Sequence, residues 1–118
     1  MIKKYFILNA LFVLSVASYA EPLDPVKLLS NYVGIDTVNP PGNESRAVDF
    51  YAKIFEEEGI EFSSGESAPG RGNIWARIKG GDLPALILLQ HTDVVPATKE
   101  YWDTDPFVAE IKDGYLYG

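Results

Sequence analysis

An uninterrupted apolar run from Ala85 to Leu89 constrains the fold of this chain more than any other feature. A strand that is apolar at every position has both faces covered, as in the centre of an α/β sheet. The run therefore predicts a buried central strand over residues 85–90. In open α/β sheets, catalytic and ligand-binding groups collect just beyond the carboxyl ends of such strands. We therefore expect functional side chains immediately after Gln90.

The only histidine of the chain, His91, follows the run, and Asp93 lies two residues further on. This spacing is typical of a metal ligand and the carboxylate that orients it, because the imidazole binds the ion through one nitrogen and the carboxylate holds the other. A hydrogen-bonded surface pair has the same spacing, so the pair alone leaves both interpretations open. The chain has no cysteine, and any metal site must therefore use histidine and carboxylate ligands.

Residues 1–20 have the pattern of a secretory signal peptide. Lys3 and Lys4 precede an apolar stretch that begins at Tyr5, and the segment ends with small residues up to Ala20. We expect cleavage after Ala20 and export to the periplasm or outside the cell. A membrane anchor is the alternative, but the apolar stretch is well short of the ~20 residues that a spanning helix needs. Stable membrane anchoring is therefore not expected.

The expected mature chain, residues 21–118, is strongly acidic. Cleavage removes two lysines and no acid, so the ten basic residues fall to eight against 17 acidic ones, and the net charge moves from −7 to −9. Such a charge argues against nucleic acid as a partner.

Capping and periodicity predict two helices. Asp24 and Pro25 are typical of the first positions of a helix, and Gly34 is a plausible end. A second helix is predicted from about Asn43 to Gly59, with its apolar residues spaced three and four apart.

The remaining mature chain predicts loops and strands. We expect a strand to begin at residues 60–62, a loop over 63–72 and a half-exposed strand over 73–79. Residues 80–84 are predicted to join that strand to the apolar run as a hairpin. Asp113-Gly114 predicts a second, tighter hairpin between residues 108–112 and 115–117.

Several separated segments resemble one family, the co-catalytic zinc metallopeptidases that include carboxypeptidase G, aminoacylase, acetylornithine deacetylase and succinyl-diaminopimelate desuccinylase. Residues 37–44 are similar to the family's Thr-x-Asn-Pro-Pro-Gly-x-Glu segment, and residues 71–76 to a strand entered through asparagine. Residues 91–96 resemble the first metal motif, and Trp102 with residues 105–107 and 113–118 resembles the approach to the second. The resemblance covers nearly the whole mature chain.

The resemblance implies a site and a fold. His91 would ligate one of two divalent ions, and Asp93 would be the catalytic carboxylate that orients and polarises it. Zinc is the expected metal, although cobalt or manganese suits the same ligands. The implied fold is α/β, the N-terminal portion of a three-layer zinc-peptidase-like catalytic domain with a mixed sheet, incomplete in this chain. The implied substrate is a small peptide or an N-acyl-amino acid.

The chain also departs from the family pattern. Gln90 stands where the family usually has glycine. At Gly118 the sequence stops at the first residue of the Gly-Arg-Gly-x-x-Asp motif, before the remaining ligands, the general base and the domain through which family members form homodimers. We therefore expect an inactive fragment of a hydrolase. The alternative is a non-catalytic exported binding or remnant domain that retains the front end of the fold.

Two further features have simpler explanations. Asp103 and Asp105 form a pair of carboxylates, but a solvated loop with a turn at Asp105-Pro106 explains them better than a site does. Residues 39–42 are expected to shape a turn near the site without touching the metal.

Overall fold

The computed structural model describes residues 22–118. The predicted signal peptide at residues 1–20 lies outside the described residues, so its prediction stands as made. Within residues 22–118, no helix is long and apolar enough to cross a bilayer.

Helix α1 spans Pro25–Val33. The Asp24 carboxylate accepts from the backbone N–H groups of Val26, at 2.9 Å, and of Lys27, at 3.3 Å. These two bonds satisfy donors that the first turn of a helix leaves free, and Pro25 has no such donor to satisfy. The helix ends before Gly34, whose N–H bonds to a carbonyl of the last turn. The predicted start and end are both confirmed.

Helix α2 spans Ser45–Glu57, within the predicted range. Gly59 follows it with a φ of 65°, the left-handed conformation that commonly ends a helix. The apolar face of α2 contributes to an aromatic cluster between the helices and the first strand, whose members are Tyr32, Phe50, Tyr51, Phe55 and Phe62.

Tyr32 links α1 to this cluster. Its ring centroid lies 5.7 Å from that of Phe50 and 5.5 Å from that of Tyr51. Burial, with a smaller contribution from the neighbouring Tyr51, raises the pKa of the Tyr32 phenol to about 12. Burial therefore favours the neutral form of the Tyr32 phenol in the folded protein.

Strands β1 (Phe62–Glu66) and β2 (Gly72–Ala76) form an antiparallel hairpin that packs on α2. The predicted loop over 63–72 is wrong in its first part, since β1 continues to Glu66 and only residues 67–71 connect the strands. The small polar side chains of β1 are exposed, and pairing with β2 compensates their weak strand propensity. A Cβ at Gly72 would lie 2.8 Å from Val48 Cγ2, so this glycine permits the close approach of β2 to α2.

The second hairpin is the one that Asp113-Gly114 predicts. Strands β3 (Glu110–Lys112) and β4 (Tyr115–Tyr117) are antiparallel, and the two turn residues have φ values of 53° and 82°. Positive φ at both positions is the type I′ geometry that matches strand twist. A short 3-10 helix, Lys99–Tyr101, lies earlier in the chain.

The buried central strand predicted at residues 85–90 is not present. Residues 85–90 form no strand, and residues 86–89 are 81–93% exposed. The predicted hairpin across residues 80–84 is also wrong, because β2 ends at Ala76 and pairs with β1. A central strand needs partners on both edges and cover on both faces, and residues 22–118 supply neither to this run. Its end is held by Gln90, whose Nε2 donates to the Tyr51 hydroxyl at 2.7 Å.

The described residues thus combine helices with two separate, two-stranded antiparallel sheets. This mixture agrees with an α/β class at a coarse level. Ala47 is the one apolar residue of the described chain that is fully buried. The three-layer arrangement with a mixed sheet stays a prediction.

Candidate functional site

Two extended segments distant in sequence meet at the site. The N–H of Asn39 donates to the Val94 carbonyl at 2.9 Å, and the N–H of Val94 donates to the Thr37 carbonyl at 3.2 Å, which forms a parallel bridge between Val38 and Val94. The Thr37 hydroxyl, on a residue only 2% exposed, donates to the Thr92 carbonyl at 2.6 Å. These bonds hold residues 92–94 in place, and with them the backbone next to His91 and at Asp93.

The structure brings the two predicted site residues into contact. His91 Nδ1 lies 3.1 Å from Asp93 Oδ1 and 2.9 Å from the Asp93 carbonyl oxygen. The carbonyl oxygen and the ionised carboxylate can each only accept a hydrogen bond. The hydrogen-bond network therefore assigns the proton of the neutral imidazole to Nδ1. The Nε2 lone pair is then free, on a side chain that is 86% exposed. His91 therefore presents one nitrogen of the kind a metal binds.

Asp93 uses its second oxygen for a different contact. Asn39 Nδ2 donates to Asp93 Oδ2 at 3.0 Å. This hydrogen bond, and after it the contact with His91, lowers the pKa of the Asp93 carboxyl from its ordinary value. The carboxylate is thus held on both sides, in the ionised form that accepts from the imidazole.

Arg71 supports Asn39 in turn. Its Nη1 donates to Asn39 Oδ1 at 3.1 Å and to the Pro41 carbonyl at 3.2 Å. Its Nη2 lies 3.0 Å from Glu44 Oε1, and the Glu44 side chain is only 8% exposed. One continuous series of polar contacts therefore runs from Glu44 through Arg71, Asn39 and Asp93 to His91.

Gly42 leaves room for the ion pair. Its φ is 105°, and a Cβ at this position would lie 2.8 Å from both Arg71 Nη1 and Glu44 Oε2. Glu44 Oε2 is buried and has no hydrogen-bond partner among the described residues. The turn at residues 39–42 thus lies beside the site as predicted, and it also contributes the Asn39 side chain to it.

The donor set fits one ligand of a metal centre. The free Nε2 of His91 is a suitable donor for zinc, and the contact of Nδ1 with Asp93 is of the kind that metal-binding histidines usually make with a carboxylate. The residues at positions 22–118 contain no group of three or more histidine, aspartate or glutamate side chains that could hold an ion. A catalytic zinc ordinarily takes three protein ligands, so the described chain offers part of a site only.

Sequence reasoning found the His91–Asp93 pair but missed the residues behind it. Asn39 was predicted only as part of the turn at residues 39–42, and no role was predicted for Arg71, since neither residue lies near Asp93 in sequence. Asp105, the weaker candidate, accepts from the Phe107 N–H at 3.0 Å, which agrees with the turn interpretation.

Comparison with curated proteins gives clear relatives. The chain is 36% identical over 108 residues to succinyl-diaminopimelate desuccinylase of Parvibaculum lavamentivorans, an alignment that covers 86% of this chain and 26% of that protein. It is 36% identical over 95 residues to human aminoacylase-1, covering 78% of this chain and 23% of that protein. Over 50 residues, 42% of this chain and 13% of the relative, it is 52% identical to the desuccinylase of Bordetella avium.

The chain thus spans about a quarter of the length of the first two of these relatives. No family profile matches it, and no solved structure matches it. The relatives carry the names that the resemblance of its motifs predicted. The chain belongs to the hydrolase family that includes succinyl-diaminopimelate desuccinylase and aminoacylase-1.

Proposed function

We propose that the full-length protein to which these residues belong is a metal-dependent hydrolase that cleaves an amide or peptide bond. The observation that carries the proposal is His91, whose Nδ1 is held by two acceptors of Asp93 and whose Nε2 is free and exposed. A surface pair needs no further support, whereas this pair is supported through Asn39 and Arg71 down to the largely buried Glu44.

The proposed metal is zinc, two ions in the full-length protein, with cobalt or manganese able to use the same ligands. When bound, such ions polarise a carbonyl and lower the pKa of a coordinated water. His91 would hold one ion through Nε2. Asp93 orients the ring and makes it a better electron donor by accepting a hydrogen bond from its Nδ1–H group.

The proposed substrate is an N-acyl-amino acid or a small peptide. One relative is named a desuccinylase and another an aminoacylase, and both names describe removal of an acyl group. The acidic expected mature chain agrees with a small-molecule substrate rather than nucleic acid.

The described residues, in this proposal, are the front portion of a three-layer domain and are inactive alone. The share of each relative that the chain covers supports this, and residues 22–118 contain no group of three or more side chains that could hold an ion. Residues further along a longer chain would supply the other ligands, the general base and a dimerisation domain. The exposed residues 86–89 would then lie between additional strands and helices.

The first test is made on the full-length protein. Replacing His91→Ala is expected to remove one zinc equivalent and nearly abolish hydrolysis of N-succinyl- and N-acetyl-amino acids. Asp93→Ala keeps the ligand but loses its orientation, so a ~10–100-fold loss of zinc affinity or turnover is expected. Metal content and rates are measured together, with Asp105→Ala as a carboxylate control outside the site.

Full zinc occupancy and normal rates of hydrolysis in His91→Ala would refute the proposal that the protein is a metal-dependent hydrolase. The gene sequence past the codon for Gly118 tests the alternative directly. An in-frame continuation that begins Arg-Gly-x-x-Asp supports the hydrolase, whereas a genuine stop codon supports a non-catalytic binding or remnant domain.

Export is a separate proposal that rests on residues 1–20. Mass spectrometry of the mature protein is expected to find Glu21 at its N-terminus, because Ala20 ends the small-residue pattern that precedes signal cleavage. Met1 retained in the folded product would contradict cleavage.

A further inference from the structure

The series of contacts behind His91 has a fixed direction. A guanidinium group only donates hydrogen bonds, and Arg71 faces Asn39 Oδ1 at 3.1 Å. The amide of Asn39 must therefore turn its NH2 group to the other side, where Asp93 Oδ2 accepts at 3.0 Å. A flipped amide would set NH2 against the guanidinium and oxygen against the carboxylate, which are two repulsive contacts in place of two bonds.

Arg71 is held firmly enough to set this direction. Its second nitrogen pairs with Glu44, whose side chain is 8% exposed, and it also donates to the Pro41 carbonyl. A guanidinium is planar and carries its donors in a rigid fork, so fixing two of its contacts fixes the third. The orientation of the Asn39 amide is thus determined from the largely buried end of the series.

The Asn39 side chain is not needed to attach the segment that carries Asp93. The hydroxyl of Thr37 and the two backbone bonds of the Val38–Val94 bridge already hold residues 92–94 against residues 37–39. What the amide adds is a second hold on the carboxylate, on the oxygen that His91 does not use. Asp93 can rotate about its side-chain bonds if this hold is lost, while its backbone stays in place.

We propose that Asn39 and Arg71 are positioning residues, which hold the Asp93 carboxylate against His91 and so fix the orientation of the imidazole, whose Nε2 would bind the metal. This inference rests on the proposed function, because it assigns the two residues to the same metal site. Neither residue is expected to touch the metal or the substrate.

The test is a double-mutant cycle on the zinc affinity of the full-length protein, measured by competition with a chelator. Asn39→Asp keeps an acceptor for Arg71 but sets a carboxylate oxygen against Asp93, so it replaces the hydrogen bond to Asp93 with a repulsive contact. It is expected to weaken zinc binding by about tenfold, in the range found for outer partners of metal ligands. In the Asp93→Ala background the same change is expected to alter the affinity by less than about twofold, because its partner is gone.

Thr37→Val is the matched control, since it removes a bond between the same two segments without touching the Asp93 carboxylate. Its effect on zinc affinity is expected to be the same in both backgrounds. In steady-state assays, Asn39→Asp is expected to lower kcat with KM within about twofold, because a positioning residue makes no contact with the substrate.

The outcomes separate the two proposals. If His91→Ala leaves zinc binding and turnover intact, the proposed function is refuted and this inference is overturned with it. If His91→Ala removes one zinc equivalent and nearly abolishes turnover, while Asn39→Asp has no effect on zinc affinity or has the same effect with and without Asp93, only the positioning role is overturned. A loss of affinity that disappears in the Asp93→Ala background supports it.

Discussion

The ion pair between Arg71 and Glu44 should contribute to stability far more than the other charged pairs of the described chain. Its atoms are 3.0 Å apart, and the side chains are 36% and 8% exposed. The pair between Lys53 and Glu57 on α2, by comparison, is 3.9 Å apart with side chains 76% and 59% exposed. Replacing Arg71→Met therefore leaves a carboxylate in a site that water barely reaches.

The expected cost follows from that burial. Removing one partner of a buried pair costs about 3–5 kcal/mol, whereas an exposed pair contributes ~0–1 kcal/mol. Because Arg71 itself keeps contact with water, we expect Arg71→Met to lower the free energy of unfolding by about 2–3 kcal/mol, a value between these two ranges. Asn39 Oδ1 and the Pro41 carbonyl lose their donor in the same variant, which acts in the same direction.

Urea denaturation followed by circular dichroism measures the difference in free energy of unfolding. Lys53→Met is the matched control and is expected to stay within ~0.5 kcal/mol of the parent protein. The double replacement Arg71→Met with Glu44→Leu removes both charges, and it is expected to recover most of the loss, since an apolar pair often replaces a buried ion pair at little cost.

A change below about 0.5 kcal/mol for Arg71→Met would refute this reasoning, because the pair would then behave as an exposed one. Failure of the double replacement to recover stability would show that the loss came from packing rather than from the unpaired Glu44 carboxylate.

Two further predictions concern the neighbours of this pair. Asn39→Ala should raise the pKa of the Asp93 carboxyl toward its ordinary value, because the bond from Asn39 is the main cause of the lowering. The lowered pKa stabilises the fold above the unfolded value of about 3.9 and loses this effect as the pH falls through the folded value. Carbon NMR of the Asp93 carboxyl in the metal-free protein measures this pKa. An unchanged pKa in Asn39→Ala would contradict the role given to the hydrogen bond. Gly42→Ala should destabilise the fold by at least ~1–2 kcal/mol, since its φ of 105° disfavours a side chain and the added Cβ would meet Arg71 and Glu44. Gly65→Ala, with no atom near the added Cβ, is the control in the same urea assay.

The parts of the fold that depend on local sequence were predictable. Asp24, Pro25 and Gly34 define α1 through contacts within one turn, and Asp113-Gly114 defines its hairpin through two backbone conformations. The error at residues 63–66 has a different cause. Polar, small side chains favour a loop, and only pairing with β2 turns this segment into a strand.

The prediction for residues 85–90 failed for a reason that lies outside the segment. Continuous apolar sequence indicates what a strand would need around it, namely two neighbours and two covered faces. Sequence periodicity does not indicate whether the described chain supplies them. The segment is exposed because β2 pairs with β1 and residues 22–118 contain no other strand beside it.

The site divides along the same line. His91 and Asp93 are two residues apart, so their spacing alone suggested their contact. Asn39 lies 54 residues from Asp93, and Arg71 lies 32 residues from Asn39, so no local pattern joins them. A signal was present, because both residues lie in segments that resemble the family, but a resemblance does not state which side chains touch.

The residues next to His91 and the more distant Asn39 and Arg71 contribute differently to the site. The Nδ1 proton of His91 faces two acceptors on one residue, the carbonyl and the carboxylate of Asp93. The carbonyl remains when the side chain of Asp93 is removed, and it still selects the ring form that leaves Nε2 free. The carboxylate adds negative charge and a second anchor for the ring, and its own orientation depends on Asn39 and Arg71. Residues 91–93 therefore determine which ring nitrogen is left free to bind a metal, whereas the orientation of the ring also depends on Asn39 and Arg71. For this reason, loss of the Asp93 side chain should weaken metal binding at His91, while loss of His91 should remove it.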